Sequence, residues 1–223
     1  MSAPKLDILP QAQRRLWQEL RDTPRDFVLY GGTALALRLG HRTSEDFDFF
    51  SNRPFSPALL RKAIGFMEDA EIRQLEENTL TAIVSRDGPV KVSFFGGLKL
   101  NRVQDPDRMP DNGIKVASLL DIGATKLATI QQRAQARDYE DVLALVDAGV
   151  NLPEMLAAAE AVYGSTFNGS LSLKALTFFA DGDLPSLSPA TQSRLRTLAS
   201  QVDLQRIQSM QARVGVTGGD VQT

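Results

Sequence analysis

Two acids and a pair of glycines, one short helix apart, are the residues of this sequence best suited to chemistry. The run Asp46-Phe47-Asp48-Phe49-Phe50 reads as a strand, and strand side chains alternate between faces. Asp46 and Asp48 therefore share one face, and Phe47 and Phe49 turn the other way into a core. Two carboxylates at the start of a strand can share a hard cation. Mg²⁺ suits such a site, because it takes one or two carboxylates and completes its octahedron with water and substrate phosphates. Taken alone, the run reads equally well as a half-exposed strand with solvated acids outward.

Upstream, Phe27-Val28-Leu29-Tyr30 is a short apolar run closed by Gly31-Gly32-Thr33. Glycines after a strand let the backbone approach a ligand without a β-carbon in the way. The helix that follows offers unpaired N–H groups at its positive end, which suits phosphate. By itself a Gly-Gly bend is more often only a turn, and this one is neither a P-loop nor a GxGxxG turn. Together the two features are sharper. The short helix can return the chain so that the second strand pairs beside the first. The phosphate cradle and the acids then sit at one end of the sheet, as a triphosphate and its metal require.

Further candidates surround this pair. Arg42 is a possible phosphate or acceptor contact and His41 reads as a loop anchor; Ser44 and Thr33 could bond phosphate oxygens or cap a turn. Farther on, Lys126 and Arg133 are seven apart and would share a face of one helix, the lysine a flexible point charge and the arginine a bidentate fork. A solvated helix face with ordinary ion pairs explains them as well. Asp138 and Asp141 read as N-cap and N3 residues starting a helix.

The run from Gly31-Gly32-Thr33-Ala34-Leu35 through His41-Arg42 and Ser44 to Asp46-Phe47-Asp48-Phe49-Phe50, with a second block of Lys126, Ala128, Arg133, Arg137-Asp138 and Asp141, resembles the AbiEii/AbiGii toxin family. The stretch Leu176 to Asp181 fits it too, so the resemblance covers residues 25–185. It implies a nucleotidyltransferase-like fold of the DNA polymerase β superfamily, with Asp46 and Asp48 as the metal-binding pair and Lys126 as a contact to nucleotide phosphates. Asp138 and Asp141 would match an acidic motif that activates or positions the acceptor. It also implies a separately encoded antitoxin, and transfer to tRNA ends in some members.

One departure stands out. A third carboxylate is expected on a later strand, here Val90-Lys91-Val92-Ser93-Phe94-Phe95, and Ser93 or Lys91 stands where it would be. The reading is Mg²⁺-dependent transfer of NMP from an NTP to a hydroxyl, with RNA such as tRNA as an acceptor. Gly31, Gly32, Thr33, Arg42, Ser44, Lys126 and Arg133 would bind the nucleotide. The alternatives are a kinase-like transfer of the γ-phosphoryl group and a nucleotide-binding module without catalysis.

Composition narrows the field. The absence of cysteine excludes thiolate zinc sites, iron–sulfur clusters and disulfides, and fits a cytoplasmic protein; the single histidine excludes an HExxH site. A net charge of −2 announces no broad nucleic-acid surface. No membrane-spanning run and no secretory signal are expected.

To position these residues the chain needs mixed elements. Helices are expected over 6–22, 33–39 and 57–70; strands over 27–30, 47–50, 78–85 and 90–95, the last two joined by Arg86-Asp87-Gly88-Pro89. Residues 96–114 read as a loop with a short strand near Leu98. Helices follow over 118–135, 138–148, 153–163, 171–179 and 189–212. The fold class is α+β: a nucleotidyltransferase core with a small mixed sheet over 1–116, a helical region over 117–212, and a disordered tail over 213–223.

Overall fold

The computed structural model describes residues 4–218. Its packing forms two compact units: residues 4–100, 105–118 and 214–218, and residues 101–104 and 119–213.

The first unit is built on a seven-stranded mixed sheet. Its strands are β1 (Val28–Tyr30), β2 (Asp46–Phe50), β3 (Glu71–Glu76), β4 (Thr79–Ser85), β5 (Pro89–Phe95), β6 (Asp107–Arg108) and β7 (Lys115–Val116), in the spatial order β3-β4-β5-β2-β1-β7-β6. β2 runs antiparallel to β1 and parallel to β5, and β1 runs parallel to β7. The helices are α1 (Gln11–Leu16), α2 (Gly31–Leu39) and α3 (Pro57–Ala63). On the inner face Phe47, Phe49, Val92 and Phe94 are fully buried, Phe49 stacks on Phe94 at 5.1 Å, and Trp17 meets Phe47 at 6.3 Å. That apolar layer lets the alternate residues of β2 carry acids on the other face.

α2 connects β1 to β2 directly. It buries Thr33 to Leu37 and ends at Gly40, which donates its N–H to the Ala36 carbonyl at 2.7 Å and takes a left-handed φ of 67° that turns the chain out of the helix. The expected strands and the helix between them are therefore in place, with α2 starting two residues early.

Several expectations differ. The helix over 6–22 is three pieces, the first two separated by Pro10, which cannot continue a helix begun before it. The helix over 57–70 stops at Ala63 ahead of Gly65. β3 went unforeseen: it is an edge strand with five of six residues exposed and a register shift between Ile72 and Gln74, so it has no apolar alternation to detect. The loop over 96–114 holds β6 rather than a strand near Leu98, and β7 follows it.

The second unit is helical: α4 (Leu119–Thr129), α5 (Ala136–Asp147), α6 (Leu152–Tyr163), α7 (Gly169–Ala175) and α8 (Pro189–Ser200). Gly123 lets α4 approach α6 closely, since a β-carbon there would lie 2.7 Å from Met155. Asn151 and Ser188 cap α6 and α8 by accepting from the N–H groups of Glu154 and Thr191. The last helix ends at Ser200, short of the expected 212; residues 201–213 are mostly exposed and carry no apolar stripe.

The tail expected to be disordered from residue 213 has order up to residue 218. Arg213 bridges to Arg102 in an antiparallel pair. Val216 is fully buried and donates its N–H to Asn52 Oδ1, and Lys115 donates to the Thr217 carbonyl at 2.9 Å. Residues 219–223 lie outside the described residues. Among the described residues no single helix is long and apolar enough to cross a membrane.

Candidate active site

Tyr30 ends β1 as the extended N-cap of α2, so the helix opens on Gly31 itself. Antiparallel pairing sets Tyr30 opposite Asp48. The glycine bend and the second acid are thereby neighbours. A β-carbon at Gly31, where φ is +75°, would lie 3.2 Å from Asp48 Oδ2. At Gly32 it would lie 2.6 Å from the Arg42 guanidinium and 2.9 Å from Ser44 Oγ. Glycine suits both positions because the Asp48, Arg42 and Ser44 side chains pack against their backbone.

Thr33 and Ser44 lie 2.9 Å apart, and the Thr33 hydroxyl also donates to the Asp46 carbonyl. These contacts pin the loop over 41–45 to the start of α2 and fix where β2 begins. Arg42 donates to the Thr43 carbonyl at 2.9 Å and holds its guanidinium over Gly32. His41 and Arg42 belong to this same loop.

Asp46 and Asp48 are half-buried and alternate with the fully buried Phe47 and Phe49. The parallel register sets Lys91 beside Asp46 and Ser93 beside Asp48. Lys91 Nζ lies 3.2 Å from Asp46 Oδ2. Ser93 is buried and accepts from the Thr81 hydroxyl at 3.4 Å. The position a third acid would take therefore holds a hydroxyl and a cation. Among the described residues no group of three or more acids, histidines or cysteines forms a metal cage. The donor set still fits Mg²⁺: two carboxylates on one face, beside a bend able to hold the phosphates that would complete the coordination.

The second block lies in the helical unit. Lys126 Nζ sits 2.7 Å from Asp138 Oδ1 and 2.5 Å from Asp141 Oδ2. All three residues are buried, the two acids completely. Arg133 follows α4 in the turn rather than sharing its face, and its fork still reaches Asp138, with Nε at 2.8 Å from Oδ2 and Nη2 at 3.2 Å from Oδ1. Burial pushes the Asp138 carboxyl up, but the Arg133 hydrogen bonds and the Lys126 charge outweigh it and hold the group below its ordinary value. Burial, then the Asp138 and Asp181 charges, push the neighbouring Tyr139 up to about 12, so it remains a phenol.

The capping role for Asp138 and Asp141 does not hold. Gln135 is the N-cap of α5, and the first helical N–H, from Ala136, donates to Asp183 Oδ1 at 2.6 Å. Both carboxylates are committed to the Lys126 ammonium instead. Spacing could not have shown this, because the partners come from different helices. The Lys91–Asp46 contact was likewise readable only once the β2–β5 register was known.

The profile described as "Nucleotidyl transferase AbiEii toxin, Type IV TA system" matches residues 15–214. The chain belongs to this family. It is accordingly a nucleotidyltransferase, and its family is that of type IV toxin–antitoxin systems. An uncharacterised protein of Aquifex aeolicus is 34% identical over 159 residues, covering 70% of this chain and 75% of the relative. The fold is shared with MenT4, a nucleotidyltransferase toxin of Mycobacterium tuberculosis, at a TM-score of 0.57 and 16% identity, over 86% of this chain and 83% of that one. The glycine bend and the Asp46–Asp48 pair meet at the junction of β1, α2 and β2.

Proposed function

We propose that this nucleotidyltransferase moves NMP from a Mg²⁺-bound NTP to a hydroxyl of RNA, a tRNA end being the leading acceptor. It acts in the cytoplasm and is neutralised by a separately encoded antitoxin. The observation that carries the reading is the packing of the Asp48 carboxylate against the glycine bend, where a β-carbon on Gly31 would lie 3.2 Å from Oδ2, with Asp46 on the same strand face.

Asp46 and Asp48 would hold the ion. Bound there, it lowers the pKa of the attacking hydroxyl and offsets charge on the departing pyrophosphate. The N–H groups at the start of α2 and the Arg42 guanidinium receive phosphate oxygens. Thr33 and Ser44 keep that bend and the start of β2 in register. The acceptor oxygen bonds to the α-phosphorus, the bond from that phosphorus to the bridging oxygen breaks, and the hydroxyl proton passes to solvent. In the helical unit, Asp138 holds the Lys126 ammonium and the Arg133 fork, whose side chain is 46% exposed and free to meet a phosphate.

Incubation with total cellular RNA and either α- or γ-labelled NTP tests this. Label carried to RNA from the α position alone supports it. Label from the γ position would make the protein a kinase. The hydroxyl and cation at Ser93 and Lys91 favour a second reading, Mg²⁺-NTP binding without transfer, which no labelling of RNA, protein or small-molecule acceptors would support. In cells, expression without an antitoxin slows growth, and Asp48→Asn relieves the effect.

A further inference from the structure

Phe178 and Asp181, from the stretch that follows α7, line a cavity of about 310 Å³ in the helical unit. Leu171 and Lys174 of α7 line it too, and their spacing of three puts them on one face of that helix. Gln132 and Arg133 complete it from the turn between α4 and α5. The walls are tied to one another. The Ser172 hydroxyl, buried on α7, donates to the Leu127 carbonyl at 2.9 Å. Gln131 Nε2 donates to Ser172 Oγ at 2.7 Å and to the Asn168 carbonyl at 3.0 Å. A β-carbon on Gly182 would run into the Ala134 carbonyl oxygen, and Asp183 Oδ1 holds the Ala136 N–H at 2.6 Å. The cavity is thus formed by protein contacts alone.

Its side chains are of three kinds. Phe178 and Leu171 are each 51% exposed. One exposed apolar residue is ordinary, but here an open aromatic ring shares a cavity with two cations. Arg133 is anchored by Asp138, with Nε 2.8 Å from Oδ2, and its side chain stays 46% exposed. Lys174 is exposed and enters no ion pair among the described residues. Asp181, also exposed, adds a carboxylate whose oxygens only accept hydrogen bonds.

We infer that this pocket holds one unpaired nucleotide of the RNA acceptor. Its volume lies at the lower end of the range for small-molecule pockets, which begins at roughly 300 Å³. That is room for one base with its ribose, not for a peptide helix. The Phe178 ring offers a face on which a base of any kind can stack. Arg133 and Lys174 receive the phosphates that flank the nucleotide, the arginine with its fork and the lysine as a point charge. Asp181 repels a phosphate but accepts from an amino or ring N–H of the base. An apolar peptide would use the ring and leave both cations and the acid unmatched. Only an unstacked base can lie on the ring, so the pocket selects single-stranded RNA over a duplex. The inference rests on the RNA-acceptor reading above and adds the place where an unpaired segment is gripped.

The test uses the full chain and the variants Phe178→Ala, Phe178→Leu, Phe178→Tyr and Lys174→Gln. Fluorescence anisotropy at several KCl concentrations follows a labelled short single-stranded RNA of mixed sequence, and the same RNA annealed to its complement. Calorimetry reads Mg²⁺-NTP binding. Phe178→Ala is expected to bind the single strand about tenfold more weakly, with its salt slope and its weak duplex binding unchanged. Phe178→Leu keeps an apolar side chain without a ring and should lose as much, even if truncation to Ala lowers the melting temperature. Phe178→Tyr keeps the ring and should bind as the wild type does. Lys174→Gln should lose about 0.7 of a unit of salt slope. None of these changes should alter Mg²⁺-NTP affinity. Unaltered single-strand affinity in Phe178→Leu, while the wild type still labels RNA, would overturn the pocket's role and leave the acceptor reading standing. Weaker Mg²⁺-NTP binding with RNA binding intact would give the pocket to the NTP and overturn the inference. A wild type that neither binds nor labels RNA would remove the acceptor reading and this inference together.

Discussion

Replacing Lys91 by Met removes a cation that competes for the acid pair. The ammonium sits 3.2 Å from Asp46 Oδ2 across the parallel β2–β5 register, with side chains 44% and 38% exposed. At that exposure the pair is worth about 0.2–1 kcal/mol. An incoming divalent ion must break it, so its loss should tighten ion binding between about 1.4-fold and 5-fold. The assay is titration of nucleotide-free protein with Mn²⁺, following the free ion by electron paramagnetic resonance. Because the pair is solvent-screened, the gain should shrink as salt is raised from low to high concentration. Lys91→Arg should behave as the wild type. Equal or weaker Mn²⁺ binding by the Met variant would refute the reasoning, since Lys91 would then not hold Asp46 away from the metal.

Three further outcomes are expected. Gly31→Ala places a β-carbon 3.2 Å from Asp48 Oδ2 at a φ of +75°; it should destabilise by about 1–2 kcal/mol in denaturant melts and weaken Mn²⁺ binding. Lys126→Met leaves two fully buried carboxylates without their ammonium and should cost about 3–5 kcal/mol, read in the same melts. The folded Asp138 carboxyl titrates below its ordinary value, so its stabilisation is complete above the unfolded pKa and is lost as pH falls through the folded one. Asp138→Asn should therefore be less stable at neutral pH and show a flatter acid limb in a plot of melting temperature against pH.

Much of the site could be read before the fold was known. β2 announced itself because Phe47 and Phe49 are buried whereas Asp46 and Asp48 are not, the period-two signature of a strand with one core face. Gly31-Gly32 after an apolar run located the bend, and α2 is short enough that β1 and β2 pair directly. What could not be read depends on partners far apart in sequence. Asp138 and Asp141 have the spacing of helix-cap residues, yet they lie inside α5 and bond an ammonium on another helix. Val216 lies in a Gly-rich polar tail that composition assigns to disorder, but its N–H is held by Asn52. β3 is exposed along most of its length and pairs with the edge that β4 offers it.

The role of the acid pair is tested most directly by transfer of α-labelled nucleotide to total RNA by the wild type and by Asp48→Asn. Asp48 is half-exposed on a strand whose core contacts are made by Phe47 and Phe49, so the variant should keep its melting temperature. The account predicts that labelling falls more than about 100-fold and that Mn²⁺ binding is lost with it. Labelling retained at the wild-type rate at ordinary Mg²⁺ concentration would contradict it.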